Sequence, residues 1–560
     1  MENKRYVLGF DFGTLSCRIS VIDLRSGRQV FEDSRDYPHG VITGALPDSG
    51  SPLENGWALQ DPQDYLTVMT QLTHRALERI SAEQVAAIGT DFTNCTVVAL
   101  DSRGIPLCQD PRFRGKPHAW VKLWKHHAAQ PYAQRIESVL RGSNTAWFPM
   151  YGRNVSSEWL FPKLLQVYEE APEVFEAARF FLEAADYIPF RLTGRLTRNS
   201  ATLGVNAFYE ESRGYPDREL LERFSPGFSR VLDKLSGTVL SVGSRAGTLT
   251  AEAARQLGLS QDVVVAVGHG DSEIAAAGLG LTDSGSMLMV MGTSTCYQMM
   301  HTEGVAFDGV CAIVRDGMIP GLYAYESGQP AVGDAFSWFA ERMLPEAYKT
   351  EAARQGLSVL AYMDNLCREL AAGESGLVSL DWFNGNRSVL MDYGLRGVIA
   401  GLTLQTRPEH IYRSLIEATA FGARRILAGY TQAGIDIRRL YASGGLARKS
   451  PVTMQIYADI LGRDIHVTSV PNASTLGAGV CAAVALEHGV GTDRAFRQVC
   501  GRMVHYDTRV YRPDPRAAAV YDALYEVFLE LHDYMGKTSA ICEKLNRIQK
   551  SAVPNLDKND

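Results

Sequence analysis

The sequence contains the same short pattern twice, once near residue 10 and once near residue 290. Each copy is an apolar run, a glycine turn and a second apolar run: residues 6–11, Gly13 and 17–23 in the first copy, and residues 287–291, Gly292 and 296–300 in the second. Both copies predict two strands joined by a turn that carries hydroxyl side chains. Two halves that open in the same way indicate a duplication, with a cleft between two similar domains.

The stretches between and after the two copies predict alternating strands and helices. Asp61 to Ile80 and Glu409 to Ala433 have helical apolar spacing, whereas Val85 to Asp91 and Leu440 to Ser443 have the composition of strands. This alternation favours an α/β protein whose helices pack on mixed sheets. Residues from about 110 to 250 are rich in Trp, Pro, Arg and His with weaker periodicity, which indicates an insertion in the first domain.

Length, charge and cysteine usage exclude several classes of protein. A chain of 560 residues exceeds what one core usually supports, so we expect at least two domains. A net charge of −7 without a run of Lys or Arg argues against nucleic-acid binding. The nine cysteines form no C-x-x-C pair and predict reduced thiols. No segment predicts a signal peptide or a membrane span, so we expect a cytoplasmic protein.

The first glycine turn is a candidate phosphate site. Gly13 lets the backbone approach a phosphate, and the hydroxyls of Thr14 and Ser16 can donate hydrogen bonds to its oxygens. Asp11 precedes the turn and can hold a hydrated Mg²⁺ ion. An ordinary hairpin turn with an aspartate cap is the alternative interpretation of this pattern.

The second glycine turn, Gly292-Thr293-Ser294-Thr295, places three consecutive hydroxyls at the end of a strand. Such residues are poor core material and good phosphate donors. Either turn alone is a weak indication. Two turns in matching positions of two halves predict that both close on one triphosphate.

Two further segments have the composition of cleft residues. Asp271 follows a strand end and begins an Ala-rich helical stretch, so its carboxylate is either a helix cap or a base that accepts a proton from an attacking hydroxyl. Gly444 and Gly445 follow the strand Leu440 to Ser443 and leave room for a flat adenine ring, although a plain strand-to-helix turn gives the same pattern.

Together these segments resemble the FGGY carbohydrate kinases of the actin-like ATPase superfamily, and the resemblance spans nearly the whole chain. The segments that carry it are Asp-Phe-Gly-Thr at 11–14, Gly-Thr-Ser-Thr at 292–295, Gly-Gly at 444–445 and Gly-Val-Ile-Ala-Gly-Leu from 397. Within the family, other segments are similar to ribulokinases: the stretch from His118 to His127, Ser-Ser-Glu-Trp from 156, the stretch from Pro320 to Gln329 and that from Asp381 to Arg387.

The resemblance implies two actin-like, ribonuclease H-type domains that bind ATP, Mg²⁺ and a sugar. It places Asp11 near the metal ion, which Asp11 binds through water, and assigns the general base to Asp271. The phosphate and adenosine contacts fall on the two turns and on Gly444-Gly445. The sugar contacts fall on Asn94, Asn206, Asp271 and Glu326. Asn206 stands where ribulokinases usually carry a lysine, in the segment Gly204-Val-Asn-Ala.

We therefore expect residues 1–270 to form a sugar-binding domain, residues 271–495 a nucleotide-binding domain and residues 496–560 a helical tail. The expected reaction is ATP-dependent phosphorylation of a ketopentose, with ribulose converted to ribulose 5-phosphate as in arabinose catabolism. Other acceptors remain open, namely D-ribulose, xylulose or ribitol. An actin-like ATPase that binds partners without kinase activity is the alternative from a different class. A homodimer is compatible with the sequence.

Overall fold

A computed structural model describes residues 4–552, so residues 1–3 and 553–560, at the ends of the first and last predicted segments, lie outside the described residues. The strands of the first half are β1 (Tyr6–Phe12), β2 (Ser16–Asp23), β3 (Gln29–Asp36), β4 (Leu59–Gln60), β5 (Val85–Phe92), β6 (Val97–Leu100), β7 (Val121–Lys122), β8 (Phe180–Glu183), β9 (Thr197–Asn199), β10 (Thr238–Leu240), β11 (Arg245–Thr248), β12 (Val264–Ala266) and β13 (His269–Gly270). Its helices are α1 (Pro62–Leu77), α2 (Gln130–Arg141), α3 (Leu160–Glu170), α4 (Pro172–Ala177), α5 (Ala184–Thr193), α6 (Ser200–Asn206), α7 (Arg218–Phe224), α8 (Ala251–Leu257) and α9 (Asp271–Gly278).

The second half begins at β14. Its strands are β14 (Ser286–Met291), β15 (Thr295–His301), β16 (Ala312–Arg315), β17 (Tyr323–Gln329), β18 (Val378–Leu380), β19 (Val398–Ala400), β20 (Arg439–Ser443), β21 (Ile465–Thr468) and β22 (Thr508–Tyr511). Its helices are α10 (Gly333–Trp338), α11 (Glu346–Arg354), α12 (Val359–Arg368), α13 (Pro408–Gln432), α14 (Gly445–Lys449), α15 (Pro451–Leu461), α16 (Ala473–Glu487), α17 (Asp493–Met503), α18 (Pro515–Asp533) and α19 (Ile541–Ala552).

Each half contains a seven-stranded mixed sheet with the same central arrangement. In the first sheet β1 pairs antiparallel with β2 and parallel with β5. In the second sheet β14 pairs antiparallel with β15 and parallel with β20. The repeated pattern in the sequence therefore corresponds to a repeated hairpin-plus-parallel-strand unit. Because both glycine turns follow the first strand of this unit, they occupy equivalent edges of the two sheets.

Two helices built from small residues lie between the sheets. Helices α9 and α16 pack closely against one another, since a Cβ added at Gly278 would lie 1.9 Å from the Ala473 carbonyl oxygen and one at Gly477 would lie 2.1 Å from that of Ile274. The same apolar cluster includes Val7 of the first sheet and residues of the second sheet. Small side chains thus let the backbones of the two halves meet closely beside the cleft.

The predicted insertion is a subdomain with its own core. A four-stranded sheet, in the order β4-β7-β6-β8, packs with short helices around aromatic side chains such as Trp120, Trp159 and Phe208. Residues 42–59, outside the predicted 110–250, join this core through β4. Short elements and irregular connections explain why no clear period is visible in this part of the sequence.

The segment after residue 495 does more than form a helical tail. Strand β22 pairs with β21 at the edge of the second sheet, and α18 buries Tyr521 and Phe528 in the core of that half. Seven cysteines are buried, and Cys296 and Cys311 are partly exposed. Within the described part of the chain, every helix is too short or too polar to cross a lipid bilayer.

Candidate active site

A row of polar residues crosses the first sheet at one level. The strand registers pair Arg18 with Asp11, Asp11 with Asp91 and Asp91 with His269. Residues paired directly across strands project from the same face. Arg18 donates a hydrogen bond of 2.7 Å from Nη1 to Asp11 Oδ2. The register therefore places the predicted metal-site residue Asp11 next to a second carboxylate that sequence reasoning missed.

That second carboxylate, Asp91, is fully buried, and neither of its oxygens has a hydrogen-bond partner among the described residues. Burial raises its pKa well above the usual value for an aspartate, and the neighbouring charges of Asp11 and Asp271 raise it further. An aspartate within the apolar strand 85–92 was a signal that could have identified it. A cation bound beside Asp11 and Asp91 would offset this unfavourable charge.

Asp271, the predicted base, is the first residue of α9 and follows β13 directly. Its backbone carbonyl accepts a 3.0 Å hydrogen bond from Ser474 Oγ on α16, which ties the start of α9 to the helix layer between the sheets. Burial raises the pKa of the Asp271 carboxyl well above its usual value, with Asp11 and Glu273 adding to the effect. A carboxylate with a raised pKa has greater affinity for a proton released by a hydroxyl group.

The first turn is held in place by the insertion. The Gly13 amide donates to the Ser16 carbonyl over 3.0 Å and closes the turn. Trp124 Nε1 donates to Thr14 Oγ1 over 3.0 Å, and Gln60 Nε2 donates to the Thr14 carbonyl over 2.8 Å. Gly13, Thr14 and Ser16 are all partly exposed, so the turn remains accessible while its conformation is fixed.

In the second turn, Gly292, Thr293 and Ser294 are exposed between β14 and β15, and Thr295 is buried. The Thr293 carbonyl accepts hydrogen bonds of 2.8 and 3.1 Å from the amides of Val332 and Asp334. The exposed hydroxyls of this turn are free to face a ligand because backbone groups, not side chains, fix its shape.

The structure brings Gly444 and Gly445 to the second turn. They follow β20, the parallel neighbour of β14, so both loops leave the sheet at the same edge. Gly444 has a φ of 96°, and a Cβ there would lie 2.3 Å from the Met291 carbonyl oxygen. At Gly445 an added Cβ would meet no atom within 4 Å. The backbone at Gly445 therefore faces open space, as the predicted adenosine contact requires.

The predicted sugar residues Asn94 and Glu326 both lie near Glu273, which follows Asp271 by two residues. Asn94 Nδ2 donates to Glu273 Oε2 over 2.6 Å. Glu326 lies close enough to Glu273 to raise its pKa, in addition to the larger effect of burial, and the pKa of Glu273 is about 7. Arg387 forms an ion pair of 2.5 Å with Glu326. Acidic side chains from both halves of the molecule therefore lie close together, Glu273 from the first half and Glu326 from the second.

Asn206, the fourth predicted sugar residue, is connected to this group indirectly. It is fully buried at the end of α6, where Cys95 Sγ donates to its Oδ1 over 2.9 Å. Its Nδ2 has no partner in the part of the chain that the structure describes. The structure thus places Asn206 against Cys95, whose backbone carbonyl accepts a hydrogen bond from Lys163 Nζ.

Several site residues were not predicted from the sequence, because strand register or long-range contacts bring them in: Arg18, Asp91, Glu273, Gln298 and Arg387. Gln298 is paired with Glu326 across β15 and β17, is buried, and leaves both of its amide atoms without a partner among residues 4–552. The polar residue within the apolar strand 295–301 was its only sequence signal.

The carboxylates fit a hydrated Mg²⁺ ion better than a metal cage made of protein alone. Across the described residues, no group of three or more His, Cys, Asp or Glu side chains has the arrangement to hold a metal ion. Mg²⁺ usually binds through one or two carboxylates together with water and substrate phosphates. Asp11 and the partnerless oxygens of Asp91 match that smaller donor set.

Two family models of known protein domains match most of the chain. The N-terminal domain model of the FGGY family of carbohydrate kinases matches residues 6–278, and the C-terminal domain model matches residues 287–486. A protein named ribulokinase from Shouchella clausii is 43% identical over 537 residues, which cover 95% of this chain and 96% of that protein.

Solved structures of sugar kinases share the fold. The xylulose kinase of Rhodospirillum rubrum has a TM-score of 0.76 and 25% identity, covering 94% of this chain and 98% of its own. The gluconate kinase of Lactobacillus acidophilus has a TM-score of 0.78 at 20% identity, covering 95% and 98% of the two chains. The predicted α/β fold of two actin-like domains is thereby confirmed. Both domain models and the full-length relative lead to one assignment: the chain belongs to the FGGY family of carbohydrate kinases and transfers phosphate from ATP to an alcohol group of a sugar.

Proposed function

We propose that this kinase phosphorylates a ketopentose, converting ribulose to ribulose 5-phosphate, with Mg²⁺ as the metal ion. The position of Asp271 carries the proposal, because it begins α9 directly after β13, whose His269 is the register partner of Asp91, and stands two residues before Glu273. Its carboxylate is close enough to Asp11, Asp91 and Glu273 to interact electrostatically with all three. The Asp11–Asp91 pair suits a metal ion and phosphates, and the Asn94–Glu273–Glu326 group suits sugar hydroxyls. The full-length similarity to proteins named ribulokinase supports the choice of sugar.

In this mechanism Asp271 accepts the proton of a terminal sugar hydroxyl. The hydroxyl oxygen forms a bond to the γ-phosphorus while the bond between that phosphorus and the ADP oxygen breaks. The hydroxyls of Thr293 and Ser294 and the backbone of both glycine turns donate to phosphate oxygens, and Gly444-Gly445 lies beside the adenosine. Mg²⁺, held through water by Asp11, would supply positive charge to the phosphates. We assign sugar binding to residues 1–270 and nucleotide binding to residues 271–495.

Sugar-dependent release of ADP tests the proposal. With Mg²⁺ and ATP present, L-ribulose, D-ribulose, xylulose and ribitol are compared by kcat/KM, and ribulose 5-phosphate is identified among the products. We expect ribulose to give the highest value. A higher kcat/KM for xylulose or ribitol would change the assigned sugar substrate but leave the assignment as a sugar kinase intact. Failure of every ketose and polyol to raise ADP release above background would favour the ATPase that binds partners without phosphorylating sugar.

Asp271→Asn tests the base directly. Because the amide cannot accept the proton, we expect kcat to fall by roughly 10²- to 10⁴-fold while ATP binding is unchanged. Asp493→Asn is the matched control, since Asp493 is also the first residue of a helix, α17, and lies on the surface with Arg497. A variant Asp271→Asn with near-normal kcat would remove Asp271 from this role. Sedimentation velocity tests whether the protein forms a homodimer, and cell fractionation tests the expected cytoplasmic location.

A further inference from the structure

Glu273 is a buried carboxylate with no part in the phosphoryl transfer described above. Its side chain is in the first turn of α9, two residues after Asp271, and only 4% of the residue is exposed. Oε2 accepts both of its side-chain hydrogen bonds, from Asn94 Nδ2 at 2.6 Å and from Ser272 Oγ at 2.8 Å. No Lys, Arg or His within residues 4–552 forms an ion pair with it. A buried carboxylate without a cation requires hydrogen-bond donors to be stable.

Asn94 has an unsatisfied atom at the same place. Its Nδ2 is used by Glu273, whereas its Oδ1 is buried and has no partner in the described part of the chain. A Cβ added at Gly270 would lie 2.4 Å from both Asn94 Oδ1 and Glu273 Oε2. Asn94 and Glu273 can therefore occupy these positions only because residue 270 is a glycine.

The second half of the molecule contributes further polar groups to this region. Glu326 on β17 acts electrostatically on Glu273 and is held by Arg387. Gln298, its register partner on β15, is buried with both amide atoms unpaired in the described structure. Hydroxyl groups suit such an environment, because each can both donate and accept. An anionic ligand does not, because it would face the carboxylates of Glu273 and Glu326.

We propose that Glu273 and Asn94 form a hydroxyl-reading subsite, in which two neighbouring hydroxyls of a neutral sugar donate hydrogen bonds to Glu273 Oε1 and Asn94 Oδ1. This inference rests on the proposed function, since it concerns the acceptor of the same reaction. Glu273 selects acceptors by the hydroxyls that they present, and the surrounding acids exclude aldonates. A buried polar group that is left unpaired by an analogue lacking the hydroxyl discriminates strongly against that analogue.

The test pairs protein variants with deoxy sugars. The kcat/KM of Glu273→Gln, Glu273→Ala and Asn94→Ala is measured with the preferred ketopentose and with its singly deoxygenated analogues. With the full sugar, we expect the kcat/KM of Glu273→Ala to be about 10- to 100-fold below that of the unmodified protein, mainly through a higher KM. With the one analogue that lacks the hydroxyl read by Glu273, the variant and the unmodified protein should have nearly the same kcat/KM. The kcat/KM for gluconate relative to that for the ketopentose should be higher in Glu273→Gln than in the unmodified protein. Glu252→Gln, an exposed glutamate in the first turn of α8, is the matched control and should change nothing.

Equal losses for all analogues would indicate a structural role and overturn the proposal, as would unchanged kcat/KM in both Glu273 variants. If the Glu273 variants fail to fold, as judged by thermal unfolding, Asn94→Ala decides in the same assay. Its matching compound is the analogue that lacks the hydroxyl read by Asn94. Failure of the proposed function has a different signature, because the unmodified protein would then respond to no sugar. Wild-type turnover with an unchanged preference among analogues removes this inference alone.

Discussion

Two buried lysines in the insertion show how the surroundings of a residue decide its effect on stability. Lys122 is 2% exposed, and its Nζ lies 4.5 Å from the centre of the Trp57 ring without a hydrogen-bond acceptor among the described residues. Lys163 is fully buried, and its Nζ donates to the carbonyls of Cys95 and Leu123 over 2.5 and 2.8 Å. Burial lowers the pKa of Lys122 to about 7.

We predict that Lys122→Met stabilises the protein at pH 6. Since the folded pKa of about 7 is below the ordinary 10.5, the unfolded chain binds one more proton between these values, and wild-type stability rises with pH across that window. Lys122→Met removes this rise. The gain in free energy of unfolding, on the order of 5 kcal/mol at pH 6, should shrink toward pH 10. Urea unfolding at both pH values measures it.

Lys163→Met is the matched comparison and should destabilise the protein, because it leaves the buried Cys95 carbonyl without a donor, at about 1–3 kcal/mol. It also removes one of the two donors to the Leu123 carbonyl, which keeps the His126 amide. A loss of stability in Lys122→Met at pH 6, equal to that in Lys163→Met, would show that the Lys122 ammonium has a compensating partner and would contradict the prediction.

At the scale of elements, two glycines form a groove for helix α16. Gly9 and Gly89 are direct register partners on β1 and β5. A Cβ at Gly9 would lie 2.0 Å from the Thr475 carbonyl oxygen, and one at Gly89 would lie 1.9 Å from that of Ala478. Both contacts are with the backbone, which cannot move aside as a flexible side chain can. The helix between the sheets therefore depends on these two positions.

We predict that Gly9→Ala and Gly89→Ala each destabilise the first sheet by at least about 2 kcal/mol, because the added methyl group overpacks a helix backbone. The urea midpoint of the transition reported by tryptophan fluorescence measures the effect. Gly501→Ala is the control: Gly501 lies exposed within α17, a Cβ there meets no atom within 4 Å, and the substitution should be neutral or stabilising by up to about 1 kcal/mol. Equal midpoints for Gly9→Ala and Gly501→Ala would refute the groove.

The elements with strong local patterns were predictable from the sequence. The hairpins around Gly13 and Gly292 and the long helix α13 lie where their apolar spacing placed them, within one or two residues. The residue set of the site was only partly predictable. Asp91 joins Asp11, and Gln298 joins Glu326, through register between strands that are not consecutive in the sequence. Periodicity within one segment carries no information on such pairing.

Over the whole molecule, two of the places where the halves meet involve elements that carry the acceptor residues. One is the layer of α9 and α16 between the sheets. The other is a rim, where α6 of the insertion packs on β16 and Val314 enters the core of the insertion. Asp271 and Glu273 begin α9, Asn206 ends α6, and Glu326 lies on β17 beside β16. Sugar binding should therefore be linked to contact at the rim.

We predict that Gly204→Ala weakens sugar binding and that Val314→Ala restores it in the double variant. A Cβ at Gly204 would lie 2.3 Å from Val314 Cγ1, so the methyl group forces α6 and β16 apart and displaces Asn206 two residues later. Overpacking of about 1–3 kcal/mol corresponds to a rise in sugar KM of roughly 5- to 150-fold, with ATP binding unchanged. In the double variant, the shortened side chain of residue 314 makes room for the added methyl group.

The unmodified protein, the two single variants and the double variant form a double-mutant cycle. Their stabilities give a readout that does not depend on the identity of the sugar. Because the two residues touch, their effects on the free energy of unfolding should be non-additive, with a favourable coupling of about 0.5–3 kcal/mol. Small-angle scattering should show a larger radius of gyration for Gly204→Ala and the wild-type value for the double variant. Additive effects on the free energy of unfolding, or a sugar KM that Val314→Ala fails to restore in the double variant, would contradict the prediction. Of these two contacts, the layer of α9 and α16 would then be the one that influences sugar binding.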